Sequence, residues 1–448
     1  MSALAANHLN SRAHARRGRG KEIALILLFK GLLEVLYVVF VYPNYAYSGF
    51  MLHLNAIKLL ESYIFLIFLY IFLPSAESRI SAIGTKLLFV VMVVPTLSLY
   101  ALEDESRNFL YLCVIGFWLT LLTIRLLPKI QIRKIKGLTP ILSFSLVIAS
   151  LGVLVILIKL NGLPTLKALK LTTVYSIRSV VTWGGTFMGY LVPWVANVIN
   201  PFFLGIAWYR KRWFSALAIF ALQLVLFLIT GMKSFLFSPF LVLFLLYAIQ
   251  KRRVMRLSLV GLISGSIVAF LIYAVGWSII PASLFIRRVL FAPAQISFYY
   301  YDFFSKHQLM YLAGSHLNPF LSSPYNMPIP HLIGEIYYNS PAMNVNTGYL
   351  ADAYMNFGFL GILLFSMILG VVFVILDSIA AKTNITIAVG AMIVPIFSLV
   401  NGALFTVLGT SGLLLGMIIV WLYSRGANRS ATLTAQSYLP PLASRSIE

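Results

Sequence analysis

The stretch LTPILSFSLVIASLGVLVILI, residues 138–158, carries no charged side chain over 21 positions. At roughly 1.5 Å rise per helical residue, such a run crosses a hydrocarbon core of about 30 Å. Lipid offers no partner for backbone N–H and C=O groups, so a helix is the form in which a run like this is satisfied. Eleven further, mostly apolar runs lie at 23–42, 57–73, 84–102, 109–127, 186–209, 213–230, 235–250, 257–279, 350–376, 385–400 and 402–423. The reading is an all-α, polytopic membrane protein of about twelve spans. Composition demands the same class, because 60% hydrophobic and only 10% charged residues, with a mean hydropathy of +0.92, cannot be buried in a soluble core of 448 residues.

A net charge of +22 raises nucleic acid as a partner, but the cations are sorted by side rather than gathered in an arm. If the N-terminus is inside, 23 Lys and Arg fall on the inner segments, ten fall outside, and Lys30 lies within the first span. The positive-inside rule then places both termini in the cytoplasm and the long segment 280–349 on the far side. The chain divides into a basic N-terminus (1–22), spans one to nine (23–279, with an outer loop at 159–185), the long outer loop (280–349), spans ten to twelve (350–424) and a cytoplasmic tail (425–448). The first apolar stretch is span-length with no small-residue cleavage site after Tyr42, so it reads as a retained signal anchor. Cys113, the single cysteine, lies within a span and excludes an intramolecular disulfide or a cysteine-based metal site.

Outer cations work against the topology signal and so call for another cause. Lys167, Lys170 and Arg178 fall at i, i+3 and i+11 and would share a helix face, followed by Trp183-Gly184-Gly185 and Gly189, where a backbone or ligand can approach closely. An interfacial helix that snorkels to lipid phosphates is the plain alternative. Arg287 and Arg288 open a second basic site, followed by the aromatic run Phe298 to Phe304. Guanidinium groups grip phosphate bidentately, and ring faces suit the apolar faces of sugars, although an aromatic belt at the membrane surface has the same composition. Lys233, in the tight outer turn 231–234, adds a further cation to that face.

His331, Glu335 and Asp352 are the candidates for proton transfer, the first two spaced i, i+4. His-x-x-x-Glu without a third ligand is a poor zinc signature, so no metal and no cofactor are assigned. Tyr349, Asp352 and Asn356 line one polar face at the outer end of the tenth span, where a carboxylate is costly unless it faces water or a partner. An ion pair that fixes packing is the competing role for Asp352. Lys30 and Glu34, at i, i+4 in the first span, read as a structural pair.

The run NTGYLADAYMNFGFLG at 346–361, opening a span after a long outer loop, resembles a segment of bacterial O-antigen and oligosaccharide repeat-unit polymerases of the Wzy type. Arg178 and Gly189, with ten residues between them, match that family's Arg-x10-Gly pattern, and residues 231–234 have its look at the start of the next span. Neither Arg287 nor Arg288 has a glycine at the matching distance, so that pair is related by position and chemistry alone. The resemblance implies a GT-C-like helical fold in the bacterial inner membrane. It implies a glycosyltransferase that moves a growing glycan from undecaprenyl diphosphate to the terminal sugar of a new undecaprenyl-diphosphate-linked unit, without a metal. Arg178, Arg287, Arg288, Lys170 and Lys233 would hold diphosphate, Tyr349 and Asn356 would contact substrate, and Asp352, Glu335 or His331 would accept the proton. A chain-length regulator protein and membrane lipid are the further partners implied. The alternatives are a polysaccharide flippase or other transporter, which the lack of an internal repeat disfavours, and an O-antigen ligase, which differs in its acceptor.

Overall fold

The computed structural model describes residues 2–75, 77–133, 138–169, 171–313, 315, 317–318 and 320–423. Helices dominate: α1 (Arg19–Ser48), α2 (Ala56–Phe72), α3 (Ile80–Leu102), α4 (Arg107–Leu126), α5 (Thr139–Asn161), α6 (Leu171–Val180), α7 (Thr186–Tyr209), α8 (Trp213–Thr230), α9 (Lys233–Gln250), α10 (Val254–Ala274), α11 (Ala292–Phe304), α12 (Ile329–Tyr338), α13 (Tyr349–Ala380), α14 (Ile385–Ser398) and α15 (Leu404–Leu422). Among the described residues there is no strand, only an isolated bridge between Ala313 and Asn318. Ten of these helices are long and apolar enough to cross a membrane, so the chain is a multi-pass, all-helical membrane protein.

The other two expected spans form short helices. α2 has 17 residues, and α14 has 14, about 21 Å at the helical rise. α14 is enclosed by α3, α7, α9 and α15, with residues 387–396 all buried. A helix wrapped by protein need not match the lipid thickness, and irregular backbone beyond its end is tolerated there. The turn 399–403 follows it, and α15 is itself interrupted between Leu408 and Leu413.

Four helices widen locally, at Tyr37–Val41, Phe89–Val93, Val195–Ile199 and Ser283–Phe291. Each widening ends two residues before a proline: Pro43, Pro95, Pro201 and Pro293. The cause is local. Proline has no N–H to give the carbonyl four residues back and its ring collides with that carbonyl, so the residue before it donates five residues back instead.

α13 breaks at Phe357 (φ −139°, ψ 17°) and Gly358 (φ 59°, ψ −138°). The segment between α11 and α12 repairs the break: the Met310 and Tyr311 amides donate to the Met355 and Asn356 carbonyls at 2.9 and 3.1 Å, and the Leu312 amide donates to Asn356 Oδ1 at 2.8 Å. The stretch 280–349, expected as one long loop, is helical at both sides of its middle. It is helical through 280–304 and again in α12. Phe298, Tyr300, Phe303 and Phe304 turn into the core, so helical periodicity splits the aromatic run and leaves Tyr299 and Tyr301 only partly buried.

Contacts assign the loops to two ends. At one end Lys58 pairs with Asp104 at 2.8 Å, Arg107 with Glu61 at 3.2 Å, and Tyr299 donates to the Gly49 carbonyl at 3.2 Å. At the other, Glu77 pairs with Lys86 at 2.9 Å and accepts from the first amides of α10, Asp377 accepts from the Ser81 amide at 2.9 Å, and Trp421 donates to the Arg133 carbonyl at 2.9 Å. Carboxylates at helix N-termini offset the dipole and satisfy amides without partners, which accounts for Glu77 and Asp377. Lys30 and Glu34 do pair, with Lys30 4.1 Å over the Tyr63 ring.

Candidate functional site

Arg287 lies in the widened segment Ser283–Phe291, where Ala292, the residue before Pro293, donates to the Arg287 carbonyl. Its guanidinium carbon rests 4.2 Å from the Tyr45 ring centroid, whereas Arg288 is exposed. No carboxylate pairs with Arg287 among the described residues, and its buried Nε has no hydrogen-bond partner. Burial lowers its pKa from the ordinary value, with Arg288 acting in the same direction, yet a guanidinium stays charged. A half-buried cation that lacks an acid is costly unless something anionic completes it.

Tyr338 acts on this cation electrostatically and joins it to a cluster with Tyr299, Tyr337 and Gln295. Tyr338 donates to Gln295 Oε1 at 3.1 Å, which leaves the buried Gln295 Nε2 as a second unused donor. Tyr299 stacks on Tyr337 at 4.4 Å between centroids with planes 12° apart, and Tyr338 meets Tyr299 edge-on at 5.7 Å. Tyr337 donates to Asp302 Oδ2 at 2.6 Å, and Asp302 also pairs with Lys306. Burial pushes the hydroxyls of Tyr299, Tyr337 and Tyr338 upward, so they remain neutral donors. Gly49 closes the floor at φ +87°, where a Cβ would stand 2.1 Å from Tyr299 Oη, so no other residue fits.

Two carboxyls at the end of α3, Glu103 and Glu105, lie beside the cluster. Asp104 takes a positive φ of 54° and turns outward, while its neighbours Glu103 and Glu105 turn toward protein. Burial pushes Glu103 up to about 8, opposed by the hydrogen bond from Tyr37. Burial likewise pushes Glu105 up to about 7, opposed by the Ser106 amide and assisted by Asp302. Glu103 acts electrostatically on both Tyr299 and Tyr338, and Arg287 acts on Tyr338 in the opposite direction. Carboxyls that titrate near neutrality are suited to proton transfer. The sequence signal, three acids in a row at a span end, was present, but which of them faced inward was not.

No family model, no curated protein and no solved structure matches this chain. The geometry therefore has to carry the reading.

Of the other expected residues, His331 and Glu335 do share a helix, α12, at i, i+4, and Tyr338 follows on the same stripe at i+7. Nδ1 of His331 is 2.9 Å from the Pro341 carbonyl, which fixes the proton there in the neutral ring and leaves Nε2 to accept. Glu335 is exposed. Tyr349 is fully buried, and Asn356 is 3% exposed. Asp352 is 5% exposed, accepts from Asn356 Nδ2 at 3.2 Å and takes the Leu404 amide at the start of α15. That is a capping position inside the protein. Asp352→Ala leaves the Leu404 amide and Asn356 without their partner, at a cost of about 1–3 kcal/mol. Membrane-inserted protein should fall accordingly, with Asp352→Asn milder because its Oδ1 still accepts; immunoblotting against a wild-type control checks this.

Arg178 is exposed on α6, whereas Lys167 belongs to a separate turn, Leu166–Leu169. The shared helical face expected from spacing is therefore not formed by these two, because the α-helix begins only at Leu171. Lys170 lies outside the described residues, as do His316, Pro319 and the tail from 424. Gly189, the glycine of the spacing pattern, has nothing within 4 Å of a built Cβ. The glycine under Arg178 is instead Gly231, at φ +65°, where a Cβ would come within 2.9 Å of the Val174 carbonyl and 3.5 Å of the Arg178 backbone. The turn carrying Lys233 is thereby brought beside Arg178. Among the described residues no three His, Cys, Asp or Glu side chains gather as a metal site.

Proposed function

We propose that this protein is a polymerase of lipid-linked oligosaccharide repeat units, acting on the outer face of the bacterial inner membrane with both termini cytoplasmic. In this reading α2 and α14 complete a twelve-crossing, GT-C-like bundle. The observation that carries the proposal is Arg287: a half-buried guanidinium with no carboxylate, an idle Nε, the spare amide of Gln295 nearby and a tyrosine stack alongside. A diphosphate supplies the missing charge, and sugars supply apolar faces for the rings.

The acceptor hydroxyl attacks the anomeric carbon of the donor glycan, forming one C–O bond as the bond to undecaprenyl diphosphate breaks. The leaving group takes on negative charge, which Arg287 and Arg288 offset through hydrogen bonds that strengthen as the charge develops. Glu103, or Glu105 beside it, takes the hydroxyl proton. Arg178 and Lys233, on a different pair of helices, hold the second lipid diphosphate. His331 and Glu335 border the cluster on α12, and Asp352 is left to packing.

Arg178 separates a grip on substrate from a grip on lipid. Arg178→Lys keeps the charge but loses the planar fork, so polymer length should fall, and Arg178→Ala should shorten it further. A residue that only snorkels tolerates lysine, and a normal ladder in both variants removes Arg178 from the site. For sidedness, a reporter active only in the cytoplasm and fused at Ser322 should stay silent.

A transporter is the second reading, favoured by the break in α13, because discontinuous helices line many transport sites. Deleting the gene and resolving surface glycan on a gel decides between them. Loss of the ladder with one repeat unit retained on its anchor supports a polymerase; loss of every unit supports the transporter or a ligase.

A further inference from the structure

At the end opposite the long outer segment, a groove of about 550 Å³ opens between α5, α7 and α8. Its size is that of pockets that take drug-sized ligands, about 300–1,000 Å³. Val147, Leu151, Phe203, Ile219 and Leu222 make its walls apolar. Arg210 and Arg212 line it where α7 ends and α8 begins; both are exposed, and neither forms an ion pair among the described residues. No acid is among its lining residues. Of the acids at this end, Glu77 and Asp377 are committed to helix N-termini, and Glu22 accepts from Tyr70 at 3.0 Å.

A second observation points to an occupant. Tyr423 lines the same groove at 2% exposure, and its buried hydroxyl has no hydrogen-bond partner among the described residues. Its ring packs edge-on against Phe202, eight residues and so about 12 Å of helix below Arg210. An unused donor thus lies deeper in the membrane than the two cations. Still deeper, Ser150 donates to Asn200 at 2.7 Å and Asn200 to Gln223 at 3.0 Å, so the floor is closed by its own network.

We propose that this groove binds one anionic glycerophospholipid. Its phosphate lies between Arg210 and Arg212, an ester carbonyl accepts from Tyr423, and one acyl chain runs along the apolar wall. Forked guanidinium groups match a phosphate, and basic pockets between membrane helices recognise anionic headgroups. The ester is what a lone hydroxyl below the phosphate asks for, and it separates a glycerophospholipid from an isoprenoid phosphate, which has no acceptor at that depth.

Trp208 and Trp213, in edge contact at 5.5 Å, flank the arginines and report on the site. The full chain is reconstituted in phosphatidylcholine bilayers containing chain-brominated phosphatidylglycerol or chain-brominated phosphatidylcholine, and tryptophan quenching is measured, with Trp213→Phe identifying the local signal. Half-quenching is expected at about tenfold lower mole fraction for the anionic lipid. Arg210→Gln with Arg212→Gln should abolish that preference, and Tyr423→Phe should remove the advantage of ester- over ether-linked phosphatidylglycerol. Equal quenching by both headgroups in the wild type overturns the proposal, as does an unchanged preference in the double variant. Displacement by soluble glycerol 3-phosphate, or a stronger preference for an isoprenoid phosphate, overturns the assignment to a glycerophospholipid.

Discussion

Glu103→Gln should reduce polymer formation by about a hundred- to ten-thousandfold at normal protein abundance, the range typical of losing a positioned general base. The amide keeps the size of the side chain and can still accept from Tyr37, so the fold is spared while the proton acceptor is lost. The wild-type pH profile should carry the same signature. A base works deprotonated, so with Glu103 pushed to about 8, activity rises with pH up to about that value and the Gln variant loses the rise. Stability should move the opposite way. The folded carboxyl binds its proton more tightly than its ordinary value of 4.5, so between those two values the native state holds more protons than the unfolded chain. This contribution is fully present below 4.5 and is lost as pH rises through about 8. Thermal melts of wild type and Glu103→Gln across that interval should show the slope in the first and its reduction in the second. Full activity in the variant would shift the role to Glu105.

Arg287→Gln should cost roughly ten- to over a hundredfold in polymerisation rate, the equivalent of one charge-assisted contact of about 1.5–3 kcal/mol made in the transition state. Arg287→Lys should recover part of the loss, since it restores charge without the fork. The protein itself should become no less stable, because removing a poorly solvated charge that has no acid partner offsets the loss of its contact with the Tyr45 ring. Reduced rate together with a melting temperature at or above wild type is the pattern of a binding group. A structural arginine gives reduced stability first and reduced activity only through it.

The spans and the two ends of the bundle were legible because lipid imposes length and apolarity, and because the charge asymmetry is large. Where protein rather than lipid surrounds a helix, that rule lapses: α14 could be short because its neighbours enclose it. Arg287 was legible as a cation of the 280–349 segment, but its turn toward Tyr45, with Arg288 left facing out, comes within a widened segment that ends before Pro293. The same proline rule can be applied at Pro43, Pro95 and Pro201 from sequence alone. Glu103 and Glu105 were hidden because the left-handed turn at Asp104, an uncommon conformation for a non-glycine residue, decides which acids face inward. A carboxylate at a span end needs a partner, and Asp352 has one in Asn356, one helical turn on, with the Leu404 amide, fifty-two residues along, acting on it as well.

The central claim is tested most directly by purified protein in vesicles supplied with one substrate, an undecaprenyl-diphosphate-linked repeat unit, with lipid-linked glycan length and free undecaprenyl diphosphate measured together. The expected result is lipid-linked chains of two and more units, with one undecaprenyl diphosphate released for each new linkage and both products formed roughly ten- to over a hundredfold more slowly by Arg287→Gln. Units that stay single while passing between leaflets, or that transfer only when a different acceptor is added, would contradict it.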